Sequence, residues 1–228
     1  MQTTTIAYAK LRLSDSNVRK ANSDTGLAAQ HIVDRAGRFF AGCMGYDFDP
    51  TNVNVVRKPA ESGPLYRLDP DLSVHEIDIG MICSNAPCWS VDNKTFYFGC
   101  SEHKVIWAYD YDITTGGVSN KRIHISDQNF ARTIDGATVD SEGFLWNAKV
   151  LGGRIIRYAP DGSIDREIEV PVRNVTSVMF GGHDLDVLYF TSMAKPVRGV
   201  ANTQSGAGGL FAIHGLGVNG LPEVRFAG

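Results

Sequence analysis

No stretch of this chain approaches the roughly 20 consecutive apolar residues that a membrane-spanning helix needs, so no such span is expected. The opening residues, MQTTTIAYAKLRLSDS, lack both a basic leader and a long apolar run, and are not expected to act as a secretory signal. Runs of positive charge are missing as well. Arg19-Lys20, Arg57-Lys58 and Lys121-Arg122 are isolated pairs in a chain of net charge −3, which argues against nucleic acid as the main partner. Cysteine is scarce: Cys43, Cys83, Cys88 and Cys100 form no CxxC pair and no disulfide-dense pattern, and read as reduced thiols of a cytoplasmic protein. The six histidines (31, 75, 103, 124, 183 and 214) are scattered, so nothing in their spacing invites zinc.

What the 228 residues do contain is an ordinary share of apolar side chains, 43%, with Gly 24 and Pro 9, a balance that suits a turn-rich β protein. From Ile32 onward a pattern repeats. Four segments join an acidic turn to a strand rich in aromatics: VDRAGRFFAG (33–42), VDNKTFYFG (91–99), VDSEGFLWNA (139–148) and HDLDVLYFTS (183–192). Each is answered by a second hairpin, over 63–77, 104–123, 153–168 and 208–226. Taking Asp34, Asp92, Asp140 and Asp184 as the same point of successive units gives periods of 58, 48 and 44 residues. Periods near 45 with four short strands each are the mark of a β-propeller. A β-sandwich with evenly spaced turns is the alternative, but its strands would not recur as paired hairpins. The expected organisation is an irregular segment over 1–31 and a single all-β propeller domain over 32–228. Two units carry insertions, at 44–62 and 193–206, and such loops usually share the ligand-binding face.

These motifs resemble the SMP-30/gluconolactonase/luciferin-regenerating (regucalcin-like) family. The resemblance is carried by DRAGRFFAG (34–42), Ser84-Asn85 with Trp89-Ser90, IWAYDYD (106–112), Ile134-Asp135-Gly136, VDSEG (139–143), FGGHD (180–184), YFTS (189–192) and the closing AGGLF (207–211) and RFAG (225–228). It implies a six-bladed type of propeller, of which about four to five blades are expected here. It also implies one divalent cation (Ca²⁺, Mg²⁺, Mn²⁺ or Zn²⁺) at the channel mouth and hydrolysis of a sugar lactone. The family holds its metal with a first-blade Glu, an Asn in an S-N-G-type turn and an Asp in a P-D-G-type turn. The last two fall on Asn85 and Asp135. The Glu has no counterpart, as if the chain began inside the second blade. The family's R-x-N-D-G substrate motif finds Ala29 in register where its Asn should stand. A displaced version, RKANSDTG (19–26), offers Arg19 and Asn22 instead, and the acidic substrate contact falls on Asp47.

An amide oxygen and a carboxylate are hard donors suited to Ca²⁺, Mg²⁺ or Mn²⁺. Asp135, beside the ion, is the expected general base. Two donors without a third imply weak cation binding and impaired turnover, because affinity follows ligand charge and number. A non-catalytic propeller binding calcium or a sugar acid, or an interaction platform using the insertions, are the other readings. Asn85 and Asp135 could equally serve as local turn formers. Exposed blade edges would favour self-association.

Overall fold

Alternating apolar residues punctuated by turn chemistry produce strands, and these strands build four antiparallel blade sheets and one separate two-stranded hairpin. The computed structural model of the chain describes residues 28–45, 48–49, 52–56 and 62–228, and every regular element among them is a strand. Blade 1 contains β1 (Ala28–Val33), β2 (Phe39–Cys43), β5 (Gly63–Leu68) and β6 (Val74–Met81), with a small hairpin, β3 (Phe48–Asp49) and β4 (Asn52–Val56), inserted between β2 and β5. Blade 2 contains β7 (Ser84–Trp89), β8 (Thr95–Cys100), β9 (Val105–Asp112) and β10 (Gly117–Ser126). Blade 3 contains β11 (Thr133–Val139), β12 (Leu145–Val150), β13 (Arg154–Tyr158) and β14 (Ile164–Glu169), and blade 4 contains β15 (Val175–Gly181), β16 (Val187–Ser192) and β17 (Leu210–Ile213). Within each blade the strands lie side by side in chain order, and the first strands of successive blades, β1, β7, β11 and β15, lie against one another as the inner strands. This is a β-propeller arrangement.

Period-two alternation gives each sheet two apolar faces, and each face packs on a neighbouring blade. Phe40, Leu65 and Met81 of blade 1 meet Trp89, Phe96, Phe98, Tyr109 and Tyr111 of blade 2. The opposite face of blade 2, with Cys88, Tyr97, Ile106 and Ala108, packs on Ile134, Val139, Leu145, Ile156 and Tyr158 of blade 3. Trp146 and Ile155 then turn to Val175, Val178, Phe180, Leu188 and Phe190 of blade 4. Trp89 and Trp146 are therefore packing residues, as their place in the repeat suggests. No disulfide joins the four cysteines, and burial raises the Cys88 thiol far above its ordinary range.

The turns refine the repeat. Asp34 opens the β1–β2 turn: its backbone N–H bonds Arg38 O at 2.9 Å, and its carboxylate accepts from the N–H groups of Ala36 and Arg38 at 2.9 and 2.8 Å. Asp140 does the same with Phe144 O at 2.9 Å and the N–H groups of Glu142 and Phe144 at 3.0 Å. In blade 2 the residue in that role is Ser90, whose N–H bonds Thr95 O at 2.9 Å, while Asp92 sits two positions on and accepts from Lys94 N–H at 3.1 Å. Asp184 is exposed and pairs with His183 Nδ1 at 2.8 Å. The four aspartates are thus not the same point of each unit; Ser90 replaces Asp92 in the series.

A second correction concerns the expected hairpin over 208–226, of which only Leu210–Ile213 pairs. Beyond it, Gly215 and Gly217 adopt φ of +74° and +77°, and Pro222 has no N–H, so the segment cannot continue a ladder. It crosses the turns instead: Gly220 N–H bonds Leu185 O at 2.7 Å, Asn219 O accepts from Ser141 N–H at 2.8 Å, and Ala227 N–H bonds Gly37 O at 3.1 Å.

One buried ion pair fixes the link between blades 2 and 3. Lys149, fully buried on β12, places its ammonium 2.5 Å from Asp127 Oδ2, with Arg132 Nε 3.3 Å from the other oxygen. Desolvation pulls the Lys149 ammonium down to about 8 despite the nearby carboxylate. Removing one partner of a buried pair leaves an uncompensated charge, so Asp127→Ala is expected to lose about 3 kcal/mol in urea unfolding. Adding Lys149→Met to it should restore part of that loss; additive losses would contradict this account.

Candidate metal centre

The channel is lined by β1, β7, β11 and β15, and all four carry a bulge in their first half. Register shifts fall between Ala28 and Gln30, Asn85 and Cys88, Ile134 and Ala137, and Val175 and Ser177. A bulge takes a residue out of the ladder and re-aims its side chain. Counted back five residues from the turn openers Asp34, Ser90 and Asp140, the positions are Ala29, Asn85 and Asp135. The amide and the carboxylate thus stand at the same count from their turns on adjacent inner strands, Asn85 paired with Gly99 just before its bulge and Asp135 within its own.

A single hydroxyl connects them. Asn85 Nδ2 donates to Ser101 Oγ at 2.6 Å, and Ser101 Oγ donates to the backbone carbonyl of Ile134, the residue before Asp135, also at 2.6 Å. Thr133 Oγ1 completes the link by donating to Ser101 O at 2.5 Å. Held this way, Asn85 is 4% exposed and its Oδ1 is buried with no hydrogen-bond partner. Ala86, next in sequence, is held at φ +54°, a left-handed conformation that alanine adopts under constraint.

Asp135 is partly buried on β11. Desolvation pushes its carboxyl up to about 8, offset in part by a hydrogen bond from the Gly136 backbone. Its bulge is gripped from β12: Asn147 Nδ2 donates to Asp135 O at 2.8 Å and to Gly136 O at 3.1 Å. Cys83 stands close by, its Sγ 3.7 Å from Asn85 Nδ2. Burial pushes this thiol up to about 12, with the charges of Asp135 and Glu102 adding to the effect. Both insertions start or land here: Met44 bridges to Cys83, and Arg198 pairs with Glu102 at 2.8 Å.

Among the described residues no group of three or more His, Cys, Asp or Glu could hold a metal ion. The two anticipated donors stand on adjacent inner strands, linked through Ser101. An orphaned amide oxygen and a carboxyl lifted by desolvation are both relieved by a hard cation, so the residues present fit such an ion. Arg19, Asn22 and Asp47 lie outside the described residues. Ser101 and Asn147 were not anticipated. The only trace of Asn147 in the sequence is a polar amide within the otherwise largely apolar run LWNAKV, and Ser101 carries no distinctive signal at all.

The fold and this centre define a β-propeller with hard oxygen donors on its channel strands. Residues 27–194 match the SMP-30/Gluconolactonase/LRE-like region. The chain is 39% identical over 202 residues to regucalcin of Gallus gallus and 37% identical over 199 residues to regucalcin of Homo sapiens, covering 86% of this chain and 64% of each relative. A luciferin-regenerating enzyme superposes with a TM-score of 0.74 at 30% identity, again over 86% of this chain and 64% of that one. A calcium-binding regucalcin of Agrobacterium tumefaciens gives a TM-score of 0.72 at 24% identity, over 87% and 64%, and supports the fold. The chain belongs to the SMP-30/gluconolactonase/LRE-like family and spans just under two thirds of the length of these relatives.

The Asp135 carboxyl makes a pH prediction. Without a cation, the folded chain keeps a proton there up to about 8 that the unfolded chain releases near the ordinary carboxylate value of about 4. The folded form therefore binds more protons across this interval, and stability falls as pH rises through it. Melting temperature should drop from pH 5 to pH 8, and Asp135→Asn should flatten that part of the profile. Mn²⁺ should raise the melting temperature more at pH 8 than at pH 5, in the wild type alone. An identical pH profile in the variant would contradict the assignment.

Proposed function

We propose that this chain serves divalent-cation-dependent hydrolysis of a sugar lactone, a gluconolactonase-type reaction. The observation that carries the reading is the unpartnered Oδ1 of Asn85, set immediately before the β7 bulge and tied through Ser101 to the inner strand that carries the Asp135 carboxyl. Family membership supports it: gluconolactonases give the family part of its name. Asn85 Oδ1 and the Asp135 carboxylate would hold the ion (Ca²⁺, Mg²⁺, Mn²⁺ or Zn²⁺). When bound, a divalent cation supplies Lewis acidity at a lactone carbonyl and eases the ionisation of water.

The chain's own residues supply the rest. Asp135 accepts a proton from the attacking water as general base. The Ser101 bridge holds Asn85 in place and thereby limits reorganisation at the centre. Asp47, Arg19 and Asn22 would hydrogen-bond the sugar hydroxyls and orient the ring. A cytoplasmic setting agrees with four cysteines that form no disulfide. The edge of β17, with Leu210 63% exposed, would favour self-association.

A non-catalytic propeller binding calcium or a sugar acid is the second reading, favoured by a donor set of only two side chains among the described residues. A pH-stat assay on glucono-δ-lactone with added Ca²⁺, Mn²⁺ or Zn²⁺ separates the two. Hydrolysis above the spontaneous rate, abolished by a chelator and reduced roughly 100-fold or more in Asp135→Ala, is expected for the enzyme. Asn85→Ala should weaken the metal dependence. Rates equal to the spontaneous one with every cation would leave the binding reading.

A further inference from the structure

From the hydrogen bonding at the blade 3 bulge we infer that Asn147 is a positioning residue: its side-chain amide sets the direction of Asp135 by clamping the two carbonyls of the bulge that carries it. Between the paired rows Ile134–Lys149 and Ala137–Asn147, two residues of β11, Asp135 and Gly136, oppose the single Ala148 of β12. A bulge of this kind breaks the ladder and frees backbone groups that must find other partners. Asn147 Nδ2 uses its two protons on these carbonyls, at 2.8 Å to Asp135 O and 3.1 Å to Gly136 O.

The amide is unfavourable for the core around it. Asn147 is 0% exposed, its side chain enters a region built from Ile134, Ala137, Leu145 and Ile156, and its Oδ1 is buried with no hydrogen-bond partner. An aliphatic side chain of the same volume would avoid that unpaired oxygen. What it would lose is both donors on the bulge.

Blade 2 supplies the comparison. The row after its bulge pairs Cys88 with Tyr97, so Tyr97 stands where Asn147 stands in blade 3. There the bulge residues are Ala86 and Pro87, and the Cys88 thiol donates to Ala86 O at 3.6 Å. The two-pronged amide is found beside the bulge that carries the carboxylate. Fixing the Asp135 and Gly136 peptides fixes the Cα–Cβ vector of Asp135, and with it where the carboxylate meets a cation also held by Asn85.

This inference rests on the reading of Asn85 and Asp135 as cation ligands, and the test separates the two. Mn²⁺ binding to the full chain is measured by electron paramagnetic resonance, which counts free ion and does not depend on turnover, at matched folded fraction. Asp135→Asn should abolish binding. Asn147→Leu, which keeps the volume and removes the donors, should weaken it about tenfold or more, the usual effect of removing a group that orients a ligand. Asn147→Ser, smaller and keeping one hydroxyl donor, should fall between wild type and Leu, and decides the matter if the Leu variant does not fold. Wild-type Mn²⁺ affinity in Asn147→Ser and in any folded Asn147→Leu, with binding lost in Asp135→Asn, overturns the positioning role and leaves the ligands standing. Unchanged binding in Asp135→Asn overturns the ligand reading itself, and this inference with it.

Discussion

One serine hydroxyl spans the boundary between blades 2 and 3, and the centre depends on it. Ser101 Oγ receives the Asn85 amide and gives its own proton to the carbonyl of Ile134. An amide spent on Ser101 turns its oxygen away from any local partner, so Asn85 does not close a turn on its own backbone. That Oδ1 lies buried without a partner follows directly. The same bond ties the Asn85 side chain to the strand that carries Asp135, so the two groups hold station together.

The wider fold makes that bond possible. Interblade packing of aromatics on one side of blade 2 and aliphatics on the other keeps β7 and β11 adjacent, and the β11 bulge takes Asp135 out of the ladder while Asn85 sits just before the bulge of β7. The two ends of the channel are treated differently. At the Ser101 end lie the two bulges, the Cys83 thiol and the landing points of both insertions. At the other end the segment after β17 runs across the turns of blades 4, 3 and 1, and the ring of Phe226 meets that of Phe39 at 6.4 Å.

Much of this was legible in the residues. Asp-containing turns followed by aromatic strands marked the blades, because a carboxylate that caps a tight turn and a strand packed on both faces each leave a local signature. Asn85 and Asp135 stood out for the company they keep in sequence. Other features left no such trace. The role of Ser90 was hidden because the blade 2 turn is longer than those at Asp34 and Asp140, which brings Asp92 into apparent alignment while the closing hydrogen bond shifts by two residues. The tail over 214–228 has apolar residues at hairpin-like spacing, yet its glycines and Pro222 direct its hydrogen bonds to other blades. Ser101 and Asn147 act on carbonyls of a neighbouring strand, and no spacing along the chain encodes that.

The most direct test is anomalous diffraction from crystals of this chain soaked in Mn²⁺. The account requires a single peak within about 2–2.5 Å of both Asn85 Oδ1 and an Asp135 carboxylate oxygen. A peak bound elsewhere, or one touching only one of the two groups while the other keeps to protein partners, would contradict it.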